Sequence, residues 1–116
     1  MSTDAKHISS MLSYCNTIDE ITNKYDGDKE EFFKRPSFRF SCSFCVEQIG
    51  YSAEQLDLKI REKHPEADWS RMIKLGINIT ESYDMQDLNV IWDFITNEVE
   101  KLRKICERIL YEMTKR

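Results

Sequence analysis

Four cysteines, two histidines and one short polar stretch hold most of the reactive chemistry available to this chain of 116 residues. Cys42 and Cys45 have CxxC spacing, while Cys15 and Cys106 stand apart. A tetrahedral zinc site needs four nitrogen or sulfur ligands. There is no second CxxC pair and the only histidines are His7 and His64, so such a site requires all four cysteines or a distant histidine. Within a helix, positions 42 and 45 simply share a face. Buried free thiols are the plain expectation, with metal and redox roles as the alternatives. The polar stretch is "LGINITESYD", residues 75–84. It offers a carboxylate at Glu81, a phenol at Tyr83 and, at Gly76, a backbone without a side chain. These groups fit an active site, the remnant of one, or a plain helix end and turn. The sequon "NIT" at 78–80 has no meaning in a cytoplasmic chain.

The elements that position these residues follow from the apolar spacing. Apolar residues make up 41% and charged residues 33%, as in a globular protein rather than a disordered one. Three Gly and two Pro are too few breakers for many short strands, and they favour a few long helices. Ile8, Met11, Leu12, Cys15, Ile18 and Ile21 recur at spacings of three and four, which predicts a helix from about Asp4 to Tyr25. Thr3 or Asp4 is expected to cap its start, and Gly27 to end it in a left-handed conformation. "KEEFF" at 29–33 has the makings of a helical turn before Pro36. From Pro36 a long helix is expected to about Lys63, with the stripe Phe38, Cys42, Cys45, Val46, Ile49, Ala53, Leu56 and Ile60. Phe40, Phe44, Tyr51 and Leu58 form a second apolar line on that helix, and a helix apolar on two faces has two partners. In so short a chain the second partner is expected to be another copy, which predicts a homodimer with these four residues at its interface.

"HPEADW" at 64–69 breaks the pattern, since a residue before proline is pushed out of the helical region. A third helix is expected from Asp68 to near Thr80, burying Trp69, Met72, Ile73 and either Ile77 or Ile79. A last one runs from near Asp87, a plausible N-cap, to near Met113. The expected fold is one all-α domain over residues 1–116, an antiparallel bundle of four main helices. No apolar run approaches the roughly 20 residues that span a bilayer. No apolar segment opens the chain, so a cytoplasmic location is expected and no membrane association. The net charge of -4, with Lys and Arg scattered among acids, argues against a nucleic-acid binder held by its whole surface. A local basic groove, formed on dimerisation, stays open.

Three segments are more specific. "HPEADW" (64–69), Tyr83 with "DLNVIW" (87–92), and "VEQIGYSAEQL" (46–56) resemble, in order and spacing, the HepT-like family of the HEPN superfamily. The resemblance covers nearly the whole chain. It implies a helical ribonuclease domain, dimeric and independent of metal or other cofactors. Members pair with a minimal nucleotidyltransferase in toxin–antitoxin modules. The family motif is Arg, four residues, His, one residue, Tyr. The arginine can clamp a phosphate and stabilise charge on the pentavalent phosphoryl group. The histidine can move protons near neutral pH. The tyrosine is where the partner can attach AMP.

In this register the Arg position is Gly76, the His position is Glu81, and only Tyr83 matches. Shifting the register does not help, because there is no Arg between 72 and 102 and no His after 64. A carboxylate with an ordinary pKa near 4.3 is ionised at pH 7 and sets negative charge beside a phosphate. Arg71 and Lys74, on the same helix, are the nearest cations that would have to lean in. The resemblance therefore implies a degenerate ribonuclease site, with no catalytic residue at Gly76 or Glu81 and Tyr83 as a candidate AMP acceptor. The plainer alternative makes Gly76 a weak spot in a helix and packs Tyr83 on Trp92. Functionally, an impaired module component acting through protein contacts stands against an active ribonuclease using other residues. A stand-alone helical dimer with a structural or regulatory role is the third reading. RNA as a ligand is disfavoured on the first and third.

Overall fold

The chain folds, in a computed structural model that describes residues 2–81 and 87–115, into helices alone, with no strand among the described residues. In order these are α1 (Thr3–Lys24), α2 (Lys29–Lys34), α3 (Pro36–Glu54), α4 (Leu58–Lys63), α5 (Trp69–Glu81), α6 (Leu88–Asp93) and α7 (Val99–Thr114). A π-helical turn, Phe94–Glu98, joins α6 to α7 without leaving helical dihedrals, so the three read as one long rod. Four long units thus stand where four stripes were expected.

Each start and stop has a local cause. Ser2, rather than Thr3 or Asp4, caps α1, its side chain accepting from the Ala5 amide. Gly27 ends that segment at φ 63, with Asp26 beside it at φ 56, and the Gly27 amide donates to the Thr22 carbonyl at 2.9 Å. Glycine meets no penalty in that region and aspartate tolerates it. "KEEFF" does form a helix, α2, capped by Asp28. Asp87 caps α6 as its position suggested, accepting from the Asn89 amide.

The long helix expected from Pro36 to Lys63 is divided. α3 ends at Glu54, and α4 begins afresh with the Asp57 carboxylate accepting from the Lys59 amide. The Asp57 amide in turn donates to the Asp4 carboxylate at 3.0 Å. That bond ties the break to the start of α1 and offers the chain an alternative to continuing the helix.

Packing is antiparallel between successive long units. Tyr25 stacks on Phe38 while Tyr14 meets Phe44 edge-on, so α1 and α3 run in opposite senses. Arg103 lies 3.8 Å from Asp19 across α1 and α7. Ile8, Met11, Ile18, Phe32, Phe38, Ile49 and Val99 are fully buried in one continuous core. The stripe residues of α3 up to Leu56 are buried as expected, whereas Ile60 on α4 is only partly so.

Candidate functional site

Helices α3 and α5 cross at two glycines. A Cβ added to Gly50 would lie 2.6 Å from the Met72 carbonyl oxygen. One added to Gly76 would lie 3.2 Å from the Glu47 carbonyl oxygen and 3.2 Å from the Gly50 Cα. Only residues without a Cβ let the two backbones come this close. The Glu47 carboxylate is bonded to the Thr80 hydroxyl one turn further on.

Above this crossing lies a groove of about 350 Å³. Gly50 and Gly76 form its floor, Tyr51, Ile73 and Ile77 its apolar walls, and Glu47, Glu54 and Glu81 its charged rim. Among the described residues no Lys, Arg or His lines it. Gly76 and Glu81, five residues apart on α5 and about 140° apart on an ideal helix, nonetheless border the same space, Gly76 buried and Glu81 exposed. Tyr83 lies outside the described residues, as does its packing against Trp92.

The cations that would have to lean in do not. Arg71 points to the far side of α5, its guanidinium 2.9 Å from Asp93 and 3.0 Å from Glu98 on the π turn. The Asp93 carboxyl is held below its ordinary pKa by the hydrogen bonds from Arg71 and Asn97. Lys74 is absent from the groove lining. His64 is buried at the opposite end of α5, with Nδ1 3.6 Å from Glu66 and Nε2 3.8 Å from Glu112. Its carbonyl accepts from Trp69 Nε1 at 2.9 Å, closing the turn that launches α5.

A model of the family described as "Ribonuclease HepT-like" matches residues 11–109. The chain belongs to the HepT-like ribonuclease family. Among curated relatives, "Putative RNase MJ0125" of Methanocaldococcus jannaschii is 25% identical over 103 residues, covering 89% of this chain and 87% of the relative. "Putative RNase MJ1380" of the same organism is 27% identical over 97 residues, 84% of this chain and 87% of the relative. "Putative RNase TTE0752" of Caldanaerobacter subterraneus subsp. tengcongensis is 27% identical over 81 residues, 70% of this chain and 72% of the relative. No solved structure matches the chain.

Elsewhere in this HepT-like chain the reactive residues are shut away. All four cysteines are free and buried. Burial pushes the Cys42 and Cys106 thiols up to about 12 and Cys45 to about 11, and raises Cys15 as well. Thiols so far above neutrality hold no useful fraction of thiolate, the form that attacks or binds metal. Among the described residues no group of three or more His, Cys, Asp and Glu is arranged to hold a metal ion. No helix there is long and apolar enough to cross a membrane.

The second apolar line of the α3 region is open to solvent. Phe40, Phe44, Tyr51 and Leu58 are between 53 and 61% exposed. Tyr51 belongs both to this line and to the groove wall. Sequence reasoning took Gly76 either as a vacant motif position or as a weak spot in a helix. The near-contact with Gly50 went unseen, although "IGYSA" around Gly50, a glycine among small residues, is the kind of signal that marks a close helix approach.

Proposed function

We propose that this HepT-like chain works through protein contacts rather than by cutting RNA, as a homodimeric, cytoplasmic component of a toxin–antitoxin type module. Its partner is a minimal nucleotidyltransferase, and Tyr83 is the residue available to accept AMP. The observation that carries this reading is the groove with three carboxylates and no cation. Hydrolysis or transfer at a phosphodiester builds negative charge, and a preorganised positive group is usually the largest single source of acceleration. Here the charge has the wrong sign. The site also lacks a group that can both accept and donate a proton near pH 7, which the family's histidine would supply. Removing one stabilising donor costs on the order of 10²–10³ in rate, and both partners of the motif pair are replaced.

The homodimer is supported by Phe40, Phe44 and Tyr51, exposed on one side of α3, and by Leu58, exposed at the start of α4, apolar residues of the type that anchors interfaces. Purified protein incubated with single-stranded and structured RNA is expected to leave both intact, with or without Mg²⁺. Metal-independent cleavage that disappears in Glu81→Ala would overturn the proposal. Co-purification from native extract is expected to bring down a nucleotidyltransferase carrying the AMP-transfer chemistry. A homodimer alone, unaccompanied, would favour the stand-alone regulatory reading instead.

A further inference from the structure

We propose that a second copy of this chain seats its Phe40 and Phe44 in the groove between α1 and α3, leaving the acidic α3/α5 groove outside the homodimer. This rests on the homodimer proposed above and assigns it to one flank of α3.

The α1/α3 groove measures about 470 Å³, with Tyr14, Thr17 and Ile21 on its α1 side and Phe40, Ser41 and Phe44 on its α3 side. Among the described residues no charged side chain lines it. Other grooves of the molecule do carry charge. The α3/α5 groove has three carboxylates, and the groove between α5 and α7 has Glu66, Asp68, Glu98, Arg71 and Lys101. Charge decides which of these surfaces suits its own copy. In a twofold contact the same patch lies on both sides and must be complementary to itself. An acid-rimmed groove would set carboxylate against carboxylate. The α1/α3 groove meets no such penalty. Covering it also leaves the Thr17 hydroxyl satisfied, since that group already donates to the Ser13 carbonyl at 3.0 Å.

Shape points the same way. Phe40 and Phe44 border the groove, yet they are 58 and 53% exposed. The Phe44 ring is braced edge-on against Tyr14, with centroids 6.1 Å apart. One patch thus carries both a projecting pair of rings and a trough beside them, which is what a self-complementary contact needs. The two grooves lie on opposite flanks of this line. Around α3, Ser41 falls about 60° to one side of Phe44, whereas Glu47 and Gly50 fall about 60° and about 120° to the other. A twofold axis running along α3, between the rings and the trough, lays each copy's rings in the other copy's trough. The same axis sends the two acidic grooves to opposite edges of the pair, away from each other.

Sedimentation equilibrium of the full chain tests the seat by placing the same charge on either flank. Thr17→Glu, on the α1 side of the groove, is expected to weaken the dimer by about a hundredfold, because the second copy would cover an unpaired carboxylate. Ile77→Glu, on α5 and 42% exposed, adds that charge outside the seat and should change the dissociation constant by less than about threefold. Phe40→Ala, which removes an exposed ring, should weaken the dimer by about tenfold, and it decides the matter if circular dichroism shows that Thr17→Glu has lost helix. Raising NaCl from about 0.05 to about 0.5 M should likewise shift the wild-type constant by less than about threefold, whereas opposed carboxylates would bind more tightly as salt screens them. The seat is overturned, with the homodimer left standing, by any of three results: Ile77→Glu as damaging as Thr17→Glu, a wild-type dimer tightened more than about tenfold by salt, or Thr17→Glu and Phe40→Ala both as tight as wild type. A wild type that is monomeric at micromolar concentration overturns the homodimer and the seat together. RNA cleavage bears only on the function proposed above.

Discussion

Toward α7, helix α5 sends Arg71 between Asp93 and Glu98; toward α3 it offers Gly76 and Glu81, beside two further carboxylates and no cation. One helix thus handles charge in opposite ways on its two sides. The α7 side is closed on itself. A guanidinium bridges α5 to the π turn, and every partner belongs to the same chain. The α3 side keeps a close backbone crossing at its floor, and among the described residues no cation lines it. The lesson is that Arg71, a cation on the same helix as Gly76, is committed to joining α5 to α6 and the π turn. It is not held in reserve for the groove.

The sharpest way to break this contrast is to force the crossing apart. Gly50→Leu must push against the Met72 carbonyl, which as backbone cannot swing away. A loss of about 2–3 kcal/mol is expected from such overpacking, seen as a melting temperature lower by about 10 °C or more. Gly76→Arg, which writes the family's arginine back, should also destabilise, since its Cβ meets the Glu47 carbonyl at 3.2 Å. A melting temperature unchanged in both would show that the helices can separate freely.

On the other side of α5, Arg71→Met keeps the aliphatic stem and removes two ion pairs. The Arg71 side chain is 36% exposed, so solvent screens the pairs and the expected loss is only about 1 kcal/mol. The same variant sharpens the comparison through pH. Hydrogen bonds from Arg71 and Asn97 lower the Asp93 pKa in the folded chain below 3.8. Stability from that shift is complete above pH 3.8 and is lost as pH falls through the lower, folded value. Arg71→Met should therefore lose stability less steeply in acid than wild type, in melts taken between pH 5 and about 2. An equally steep acid limb would assign that limb to other carboxylates. The smallest effect is expected at Glu81, an exposed side chain. Glu81→Gln should leave the melting temperature unchanged, and it should leave RNA as untouched as the proposed function expects of the wild type.

Much of this arrangement was legible in the sequence, and the exceptions have physical reasons. The α1 stripe, the Asp87 cap and the buried cysteines follow from spacing and residue type alone. The break after Glu54 did not, because Leu56 and Ile60 continue the α3 stripe in phase. Periodicity cannot reveal an interruption that keeps the phase. Asp57 was the available sign, and what makes it a boundary is the bond to Asp4, a partner 53 positions away. The π turn also left a trace that went unread. Ile91, Ile95 and Val99 are spaced four and four, which drifts around an ideal helix by about 40° at each step. A wider turn takes up that drift and keeps Ile95 and Val99 buried together. At the groove, residue types exposed the missing motif. They gave no measure of how near Gly76 lies to Gly50, since that distance depends on two helices far apart in the chain. They also left open whether Arg71 faced the groove.

The crossing of Gly50 and Gly76 has a consequence for how such a chain can change over generations. A surface position that loses its arginine can regain it by one codon. A position over which two backbones have closed cannot, because the returning side chain has no volume to enter until the neighbouring helix moves. Each further substitution that suits the closed arrangement raises that threshold. At Gly76 any larger residue meets the Glu47 carbonyl and the Gly50 backbone, so acceptance of a side chain there waits on a change in α3.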